Sequence, residues 1–410
     1  MEHLGQIATS LAAIEEYVEA HLFDPSGILM SAADCRTGKP FAREFITEEK
    51  VARRAMFDPW SWWTYEDSIM CAGHYIDGLV MRYEMTGDAT ALEQAQRVWR
   101  VCLDISYQSQ AYGGVGCFLR PYGGFDQMEK FGEPLGTDQA APLFCGVYRL
   151  MRYMADEDRD EASRILVNML RWYADQGYAY RYYKSHQHYW RPPGHVHASS
   201  FYLPAIAFAA RETDEQRWHN DLERFLKRQL TDPKYIDTDA GIAWNFKQGG
   251  LLVLRDIMGR EAFEEHFTRP VLERIHDDVK RWLAKFSEPG TVRRMYPASA
   301  EPGFEPYLRL GFSRAKGLGF PATAWVHAGR TRPRHELTVL TALAGLGITA
   351  AGEEAARLFA MRKEVPDDFT HFFVEDYDAL PPAAHLFACS VGALMLWWYR
   401  NARLLMSVAD

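Results

Sequence analysis

The segment Ser68-Ile-Met-Cys-Ala-Gly-His-Tyr-Ile-Asp-Gly-Leu79 decides the fold of this 410-residue chain. It is apolar or small almost all the way around a helical wheel, whereas an ordinary surface helix carries an apolar stripe on one side only. Such a helix is expected to be contacted by other helices on both sides. The segment from Ala383 to Tyr399 has the same character. The sequence therefore predicts an inner layer of helices covered by an outer one.

Helical periodicity dominates the chain, and strand-like alternation is scarce. The helices that alternate with the apolar ones carry charged faces, as expected of an outer layer. The spacing of apolar residues predicts twelve helices, over residues 4–22, 66–86, 88–110, 138–155, 158–176, 199–211, 214–230, 244–258, 260–285, 333–346, 350–362 and 385–404.

The connections between these helices alternate in length. Five are very short and polar or glycine-containing, near residues 87–88, 156–157, 213–214, 259 and 347, and long connections lie between them. Because short turns join antiparallel neighbours, we expect six helical hairpins in series with every long loop at one end. No linker of Ser, Pro and Gly divides the chain. The prediction is an all-α single domain over residues 1–410, an (α/α)6 toroid of six inner and six outer helices.

Composition and charge limit the partners. A net charge of -9 disfavours nucleic acid and anionic membranes. The most apolar run, 386–399, is shorter than the roughly 20 residues needed to cross a bilayer. The six cysteines show no CxxC spacing and the N-terminus shows no secretory signal. We expect a cytoplasmic protein, without cofactor, for which a homo-oligomer is compatible with the sequence.

The candidate catalytic residues are two carboxylates, Asp67 and Asp138. Each stands where a long loop runs into an inner helix, so both are expected at the mouth formed by the N-termini of the inner helices. Two carboxylates at one cleft can divide acid and base roles, as in sugar chemistry. An aspartate at a helix start is also a common N-cap, and this reading stays open for each residue. Asp77, deeper in its helix, is predicted to hold a buried network.

Aromatic, imidazole and cationic groups gather in the same long loops and helix starts. Flat apolar faces beside polar groups suit sugar rings, although rim packing is the alternative for many of these aromatics. Arginines are concentrated between residues 287 and 334, which favours an anionic ligand, most simply a carboxylate. The side chains predicted to bind substrate are Trp63, His188, Trp190, His195, His197, Trp244, Arg314, His335 and His385.

The histidines of the loop 186–197 form two His-x-His units, which could ligate a metal in an extended segment. No acidic or cysteine ligand stands at helical spacing beside them, so hydrogen bonding to substrate is the favoured reading and no metal is predicted. The glycine-rich stretch 112–124 follows a helix and lacks the lysine of a P-loop, which disfavours nucleotide binding.

Two segments carry a resemblance to a known family: Trp63-Thr-Tyr-Glu-Asp67, leading into the apolar helix that ends with Tyr83-Glu-Met-Thr-Gly-Asp88, and Thr137-Asp-Gln-Ala-Ala-Pro-Leu143. In order and spacing they resemble the unsaturated glucuronyl and unsaturated rhamnogalacturonyl hydrolases among the six-hairpin glycosidases. The likeness is diffuse but spans nearly the whole chain.

The resemblance implies a reaction. The aspartate at Asp138 would protonate the double bond of a 4,5-unsaturated uronate and assist the addition of water, with Asp67 as partner carboxylate and His188 as a substrate ligand. The family's Arg-x-Asn-Gly-Trp signature is missing here, and His197-Ala-Ser-Ser-Phe-Tyr202 stands near its place.

We therefore expect a glycoside hydrolase acting on short oligosaccharides that contain uronic acid. Three other functions remain open on the same toroid. A sugar epimerase would use His197, His335 and His385 as bases, and a polysaccharide lyase would create the unsaturated uronate instead of consuming it. A non-catalytic carbohydrate-binding or scaffold protein would bind sugar without turnover.

Overall fold

The computed structural model describes residues 2–31, 33–34, 39–40, 65–178, 181–182, 189–190, 198–237, 241–287, 334–361 and 392–409. Within these ranges the protein is all-α, as predicted. The helices are α1 (Glu2–His21), α2 (Ser68–Thr86), α3 (Ala89–Gly113), α4 (Met128–Phe131), α5 (Thr137–Leu150), α6 (Asp156–Asp175), α7 (Ala198–Glu212), α8 (Gln216–Thr231), α9 (Pro233–Ile236), α10 (Leu251–Met258), α11 (Arg260–His266), α12 (Arg269–Ser287), α13 (Arg334–Gly345), α14 (Thr349–Met361) and α15 (Gly392–Ala409).

Strands among the described residues are limited to three antiparallel pairs of two residues each. They are β1 (Ala33–Asp34) with β2 (Lys39–Pro40), β3 (Leu119–Arg120) with β4 (Glu133–Pro134), and β5 (Arg181–Tyr182) with β6 (Tyr189–Trp190). Single 3-10 turns occupy Phe125–Gln127, Met151–Tyr153 and Ile242–Phe246.

Two predicted helices were wrong in detail. The segment 244–258 forms the 3-10 turn Ile242–Phe246, and α10 starts only at Leu251, because Gly249 and Gly250 adopt φ values of 99° and 91° that end a right-handed helix. The segment 260–285 is two helices, α11 and α12. Pro270 lies in the first turn of α12, where a missing backbone N–H is tolerated but a continuous helix is not.

α2 is buried on all sides, as its sequence predicts: every residue from Ser68 to Met81 is buried. α5 lies along one flank, and the contacts between them advance together. Gln139 meets Asp67 at the helix starts, and Arg149 meets Asp77 three turns further on. The two helices are therefore parallel and in register.

α15 lies along the other flank of α2 and is also parallel to it. His74 packs on Trp397 with ring centroids 5.3 Å apart, and Arg400 Nε donates to Asp77 Oδ2 at 2.9 Å. α13 follows, since His335 packs on Trp397 and Thr341 Oγ1 donates to Asn401 Oδ1 at 3.1 Å. α13 is thus parallel to α15.

α7 packs on the other side of α5 and is also parallel to it. Phe144 packs edge-to-face on Phe201 of α7, and Arg211 near the end of α7 bonds Tyr148 near the end of α5. Ser200 Oγ in turn donates to the carbonyl oxygen of Asn245 at 2.9 Å. α10 reaches the end of α13, where Arg255 donates to the carbonyl oxygen of Gly345 at 3.1 Å.

The remaining long helices pack against this series: α3 on α2, α6 and α8 on α7, α12 and α14 on α13, and α1 on α15. α8 shows the expected one-sided character, burying Trp218, Phe225 and Leu226 while its other face is exposed. No helix in the described ranges is long and apolar enough to cross a membrane.

The approach of α2 to α5 depends on two glycines. A methyl group at Gly73 would overlap the backbone of Pro142 and Leu143, and one at Gly146 would overlap the carbonyl oxygen of Gly73. Neither glycine has a positive φ, so the requirement is one of space and not of backbone conformation.

We expect Gly73→Ala to lower the free energy of unfolding by roughly 1–3 kcal/mol, because the α5 backbone must move away to admit the methyl group. Gly5→Ala in α1 is the matched control, since a methyl group there meets nothing within 4 Å. It should leave stability unchanged or raise it by up to about 1 kcal/mol. Urea denaturation measures both, and equal effects of the two substitutions would contradict the close-contact argument.

Candidate functional site

The carboxylates Asp67 and Asp138 lie at the starts of α2 and α5, on neighbouring parallel helices, and both are half-buried. Asp67 holds the N-cap position of α2, but its side chain makes no capping hydrogen bond. The N-cap of α5 is Gly136, and Asp138 lies within the first turn. Neither side chain therefore serves as an ordinary helix cap.

Gln139 joins the two helix starts. Its amide Nε2 lies 3.0 Å from Asp67 Oδ1 and 2.5 Å from the backbone carbonyl oxygen of Glu66. Because Gln139 directly follows Asp138, this contact brings the turn that carries Asp138 against Asp67.

The short hairpin β3–β4 contacts the segment before α2 through Arg120. Arg120 of β3 is buried, and its Nη1 lies 3.4 Å from Glu66 Oε1 and donates to the Tyr122 hydroxyl at 3.0 Å. Arg120 stands opposite the buried Glu133 in the strand register. A buried guanidinium thus fixes Glu66, and through it the turn that presents Asp67.

A second group of side chains, the aromatic cluster, consists of His74, Trp244, Trp282, His335 and Trp397. His335 is at its centre: its ring centroid lies 5.9 Å from that of Trp244, 6.4 Å from that of Trp282 and 5.0 Å from that of Trp397. Trp244 and His335 are half-buried, and the other three are buried. The cluster therefore presents one indole and one imidazole edge to solvent on a rigid aromatic base.

Polar contacts hold this base in place. Trp397 Nε1 donates to Thr338 Oγ1 at 2.7 Å, and Asn401 Nδ2 donates to the same oxygen at 3.2 Å. The buried Lys247 places its ammonium 3.6 Å from the centroid of the Trp244 ring, which is a cation–π contact. A positive charge therefore lies against one face of the half-buried Trp244 indole.

The predicted site residues divide into two groups within the described ranges. Asp67 and Asp138 stand at the starts of the adjacent helices α2 and α5, and Trp244 and His335 pack against each other in the aromatic cluster. Trp190 lies in strand β6, of which only the backbone is described. The predicted residues outside the described ranges are Trp63, His188, His195, His197, Arg314 and His385.

Sequence reasoning missed several members of these groups. Trp282, Trp397, His74 and Lys247 stand within helices or beyond a helix start, where a periodic apolar pattern indicates core packing. Arg120 stands in a segment with no helical pattern at all. One feature of the sequence did point to Trp397: the segment that forms α15 is apolar on nearly all sides, which predicts that Trp397 faces a neighbouring helix.

Asp77 is the buried network residue that the sequence predicted. Arg149 Nε lies 2.7 Å from Asp77 Oδ1, Arg400 Nε lies 2.9 Å from Oδ2, and Arg149 also reaches Glu84 at 3.1 Å. Burial alone would raise the pKa of Asp77, but the charges of Arg149 and Arg400 outweigh it and hold the pKa below its ordinary value. Asp77 therefore ties α2, α5 and α15 together as a permanent anion.

The cysteines among the described residues are structural. Cys71, Cys102, Cys117 and Cys145 are buried and are not part of a disulfide bond. Burial is the largest influence on the thiols of Cys102 and Cys145, and it raises the pKa of each to about 12. These thiols are protonated at neutral pH and are poor nucleophiles.

No group of three or more histidine, cysteine or carboxylate side chains within the described ranges is placed to hold a metal ion. The histidine-rich loop 186–197 lies outside those ranges, apart from the backbone of β6. Comparison with known protein families, characterised proteins and solved structures found no match to this chain.

We expect Asp77→Asn to lower the free energy of unfolding by roughly 3–5 kcal/mol at neutral pH, because it removes the counterion that the buried Arg400 shares with Arg149 and leaves Arg149 paired with Glu84. The folded-state pKa of Asp77 is lowered, so its contribution is complete above the ordinary aspartate pKa of about 3.9 and is lost as the pH falls through the folded-state value.

Urea denaturation at several pH values tests this. The stability difference between wild type and Asp77→Asn should be constant from about pH 5 to 7 and should shrink below about pH 4. The exposed Asp104 provides the control: Asp104→Asn should change stability by no more than about 0.5 kcal/mol. A pH-independent deficit in Asp77→Asn would contradict an ionised Asp77.

Proposed function

We propose that the protein is a glycoside hydrolase built on an (α/α)6 toroid, and that it acts on short oligosaccharides containing uronic acid. In the preferred form of the proposal it hydrates a 4,5-unsaturated uronyl residue, with Asp138 as general acid and base and Asp67 as its partner. The observation that carries the proposal is the hydrogen bond between Gln139 and Asp67. It joins the starts of two parallel helices, each of which carries a half-buried carboxylate.

The order of helix contacts supports the toroid. α2 packs against α5, α5 against α7, α7 against α10, α10 against α13, α13 against α15, and α15 against α2. The side-chain pairs between α2, α5, α7, α13 and α15 advance in one direction, so these five helices are parallel. Parallel helices in a closed ring would bring all their N-termini, and hence Asp67, Asp138 and His335, to one face, together with Trp244, which packs on His335.

The chemistry of the two carboxylates supports a reaction of sugars. An acidic group that can give a proton and a second carboxylate that stays charged are the minimum required to add water to an unsaturated uronate or to hydrolyse a glycoside. In the hydration, Asp138 would give its proton to the double bond. A water molecule would then add to the other carbon and return a proton, and the resulting hemiketal would open and release the sugar.

The aromatic cluster supports a carbohydrate ligand. The half-buried Trp244 and His335 offer partly exposed aromatic surface, against which sugar rings can pack, and they are held by Trp282 and Trp397. The ammonium of Lys247 behind Trp244 adds positive charge on this side. Both features fit an anionic sugar better than a neutral apolar ligand.

The first test is Asp138→Asn, which we expect to lower turnover of an unsaturated uronic-acid disaccharide by roughly 10²–10⁴-fold without unfolding the protein. Turnover is followed by the loss of the unsaturated-uronate absorbance together with the release of free sugar. Asp158→Asn is the matched control, because Asp158 also lies in the first turn of a helix, α6, but is exposed.

An active, folded Asp138→Asn variant would refute the assignment of Asp138. The sign of the absorbance change separates the reaction classes: a lyase would increase it, and an ordinary hydrolase would release sugar without changing it. Sugar affinity without turnover of either unsaturated or saturated uronic-acid disaccharides would identify a binding protein.

His335 gives a specific observation in favour of a second candidate, a sugar epimerase, because an imidazole half-exposed among aromatic rings is a plausible proton-transfer group. The hydrolase proposal expects His335→Ala to raise KM roughly 3- to 10-fold, the effect of one lost stacking partner, with kcat changed much less. Steady-state kinetics decides: loss of kcat with unchanged KM would favour the epimerase.

A further inference from the structure

Gln139 is a buried polar residue at the contact between the starts of α2 and α5. Its side chain is fully buried, and its amide nitrogen bonds both Asp67 Oδ1 and the Glu66 carbonyl oxygen. Its amide oxygen has no hydrogen-bond partner. Since both neighbours are acceptors, only the nitrogen can face them, and this fixes the orientation of the amide.

The unpartnered oxygen argues against a purely structural role. Burying a polar atom without a partner costs about as much free energy as one hydrogen bond contributes. The hydrogen bonds of Gln139 between α2 and α5 therefore add little to the stability of the folded protein. What the amide does supply is an N–H aimed at a carboxylate in a place shielded from water, where hydrogen bonds are stronger.

The donor discriminates between the two carboxylates. A hydrogen bond from an N–H group favours the charged form of the carboxylate that accepts it. Asp67 accepts such a bond from Gln139, whereas among the described residues no side chain donates one to Asp138. The amide of Gln139 has no titratable proton at any working pH, so its preference for an ionised Asp67 is permanent.

We propose that Gln139 is a positioning residue that keeps Asp67 ionised and oriented, so that the proton of the catalytic pair is carried by Asp138. This inference rests on the proposed function, in which one carboxylate gives a proton and its partner stays charged. Arg120 contributes from behind, since its ion pair with Glu66 holds the peptide group to which Gln139 is also bonded.

The direct test is a titration of the Asp67 carboxyl group by carbon-13 NMR of protein labelled at its aspartate carboxyl carbons, the signal being identified by its loss in Asp67→Asn. Gln139→Met removes the donor and keeps the length of the side chain. Gln139→Glu replaces the donor with an acceptor that can itself be charged. The Asp67 titration midpoint should rise by about 1 pH unit in Gln139→Met and further in Gln139→Glu.

Gln229→Met is the matched control, because Gln229 is also fully buried and its side-chain amide atoms lack partners, but it lies on α8. It should leave the Asp67 midpoint unchanged. A loss of packing alone would not produce the rank order of wild type, Gln139→Met and Gln139→Glu. An Asp67 midpoint that is the same in all three would overturn the inference, whatever the protein's activity.

The pH profile of kcat/KM supplies a second readout. If an ionised Asp67 is required, activity falls as the pH drops through the Asp67 midpoint, so the acidic limb should move to higher pH in Gln139→Met by the shift that NMR measures. Loss of activity in Asp138→Asn with an unmoved acidic limb in Gln139→Met would defeat this inference alone. Full activity in Asp138→Asn and Asp67→Asn would defeat the proposed function instead.

Discussion

The close contact of α2 and α5 is the constraint on which the rest of the structure depends. Without side chains at Gly73 and Gly146, the backbones of the two helices touch, and they can do so only in one register. That register sets Gln139 beside Asp67 at one end and Arg149 beside Asp77 at the other. A shift by one residue would turn both polar pairs away from each other, since successive helical positions point about 100° apart.

Along this single interface, two aspartates acquire opposite characters from their surroundings. Asp77 is buried between Arg149 and Arg400, and each of its carboxylate oxygens is paired with one of these arginines. It is therefore a structural residue. Asp67 is half-buried at a helix start and accepts a hydrogen bond from the uncharged amide of Gln139. The same residue type is thus a structural anion at one level and a candidate reactive group at another.

The aromatic cluster, in contrast, is assembled from five separate elements of the chain. His74, Trp244, Trp282, His335 and Trp397 come from α2, the 3-10 turn before α10, α12, α13 and α15. No two of them are close in sequence, yet their rings pack within about 6.5 Å of a neighbour. Only α13 and α15 packed side by side bring His335 against Trp397, so this surface exists only once the helices have assembled.

The sequence by itself determined the all-α class, nearly all helix positions in the described ranges and the short turns, because apolar periodicity and glycine are local signals. It also identified Asp67, Asp138 and His335 as residues at helix starts, whereas Trp244 lies in the 3-10 turn before α10. The break before α10 at Gly249 and the split between α11 and α12 escaped it, since a periodic pattern continues across both. Only the tertiary structure decided that Gln139 bonds Asp67, that Asp77 is neutralised by Arg149 and Arg400, and that Trp282 and Trp397 enclose His335, because these contacts join segments that no local pattern relates.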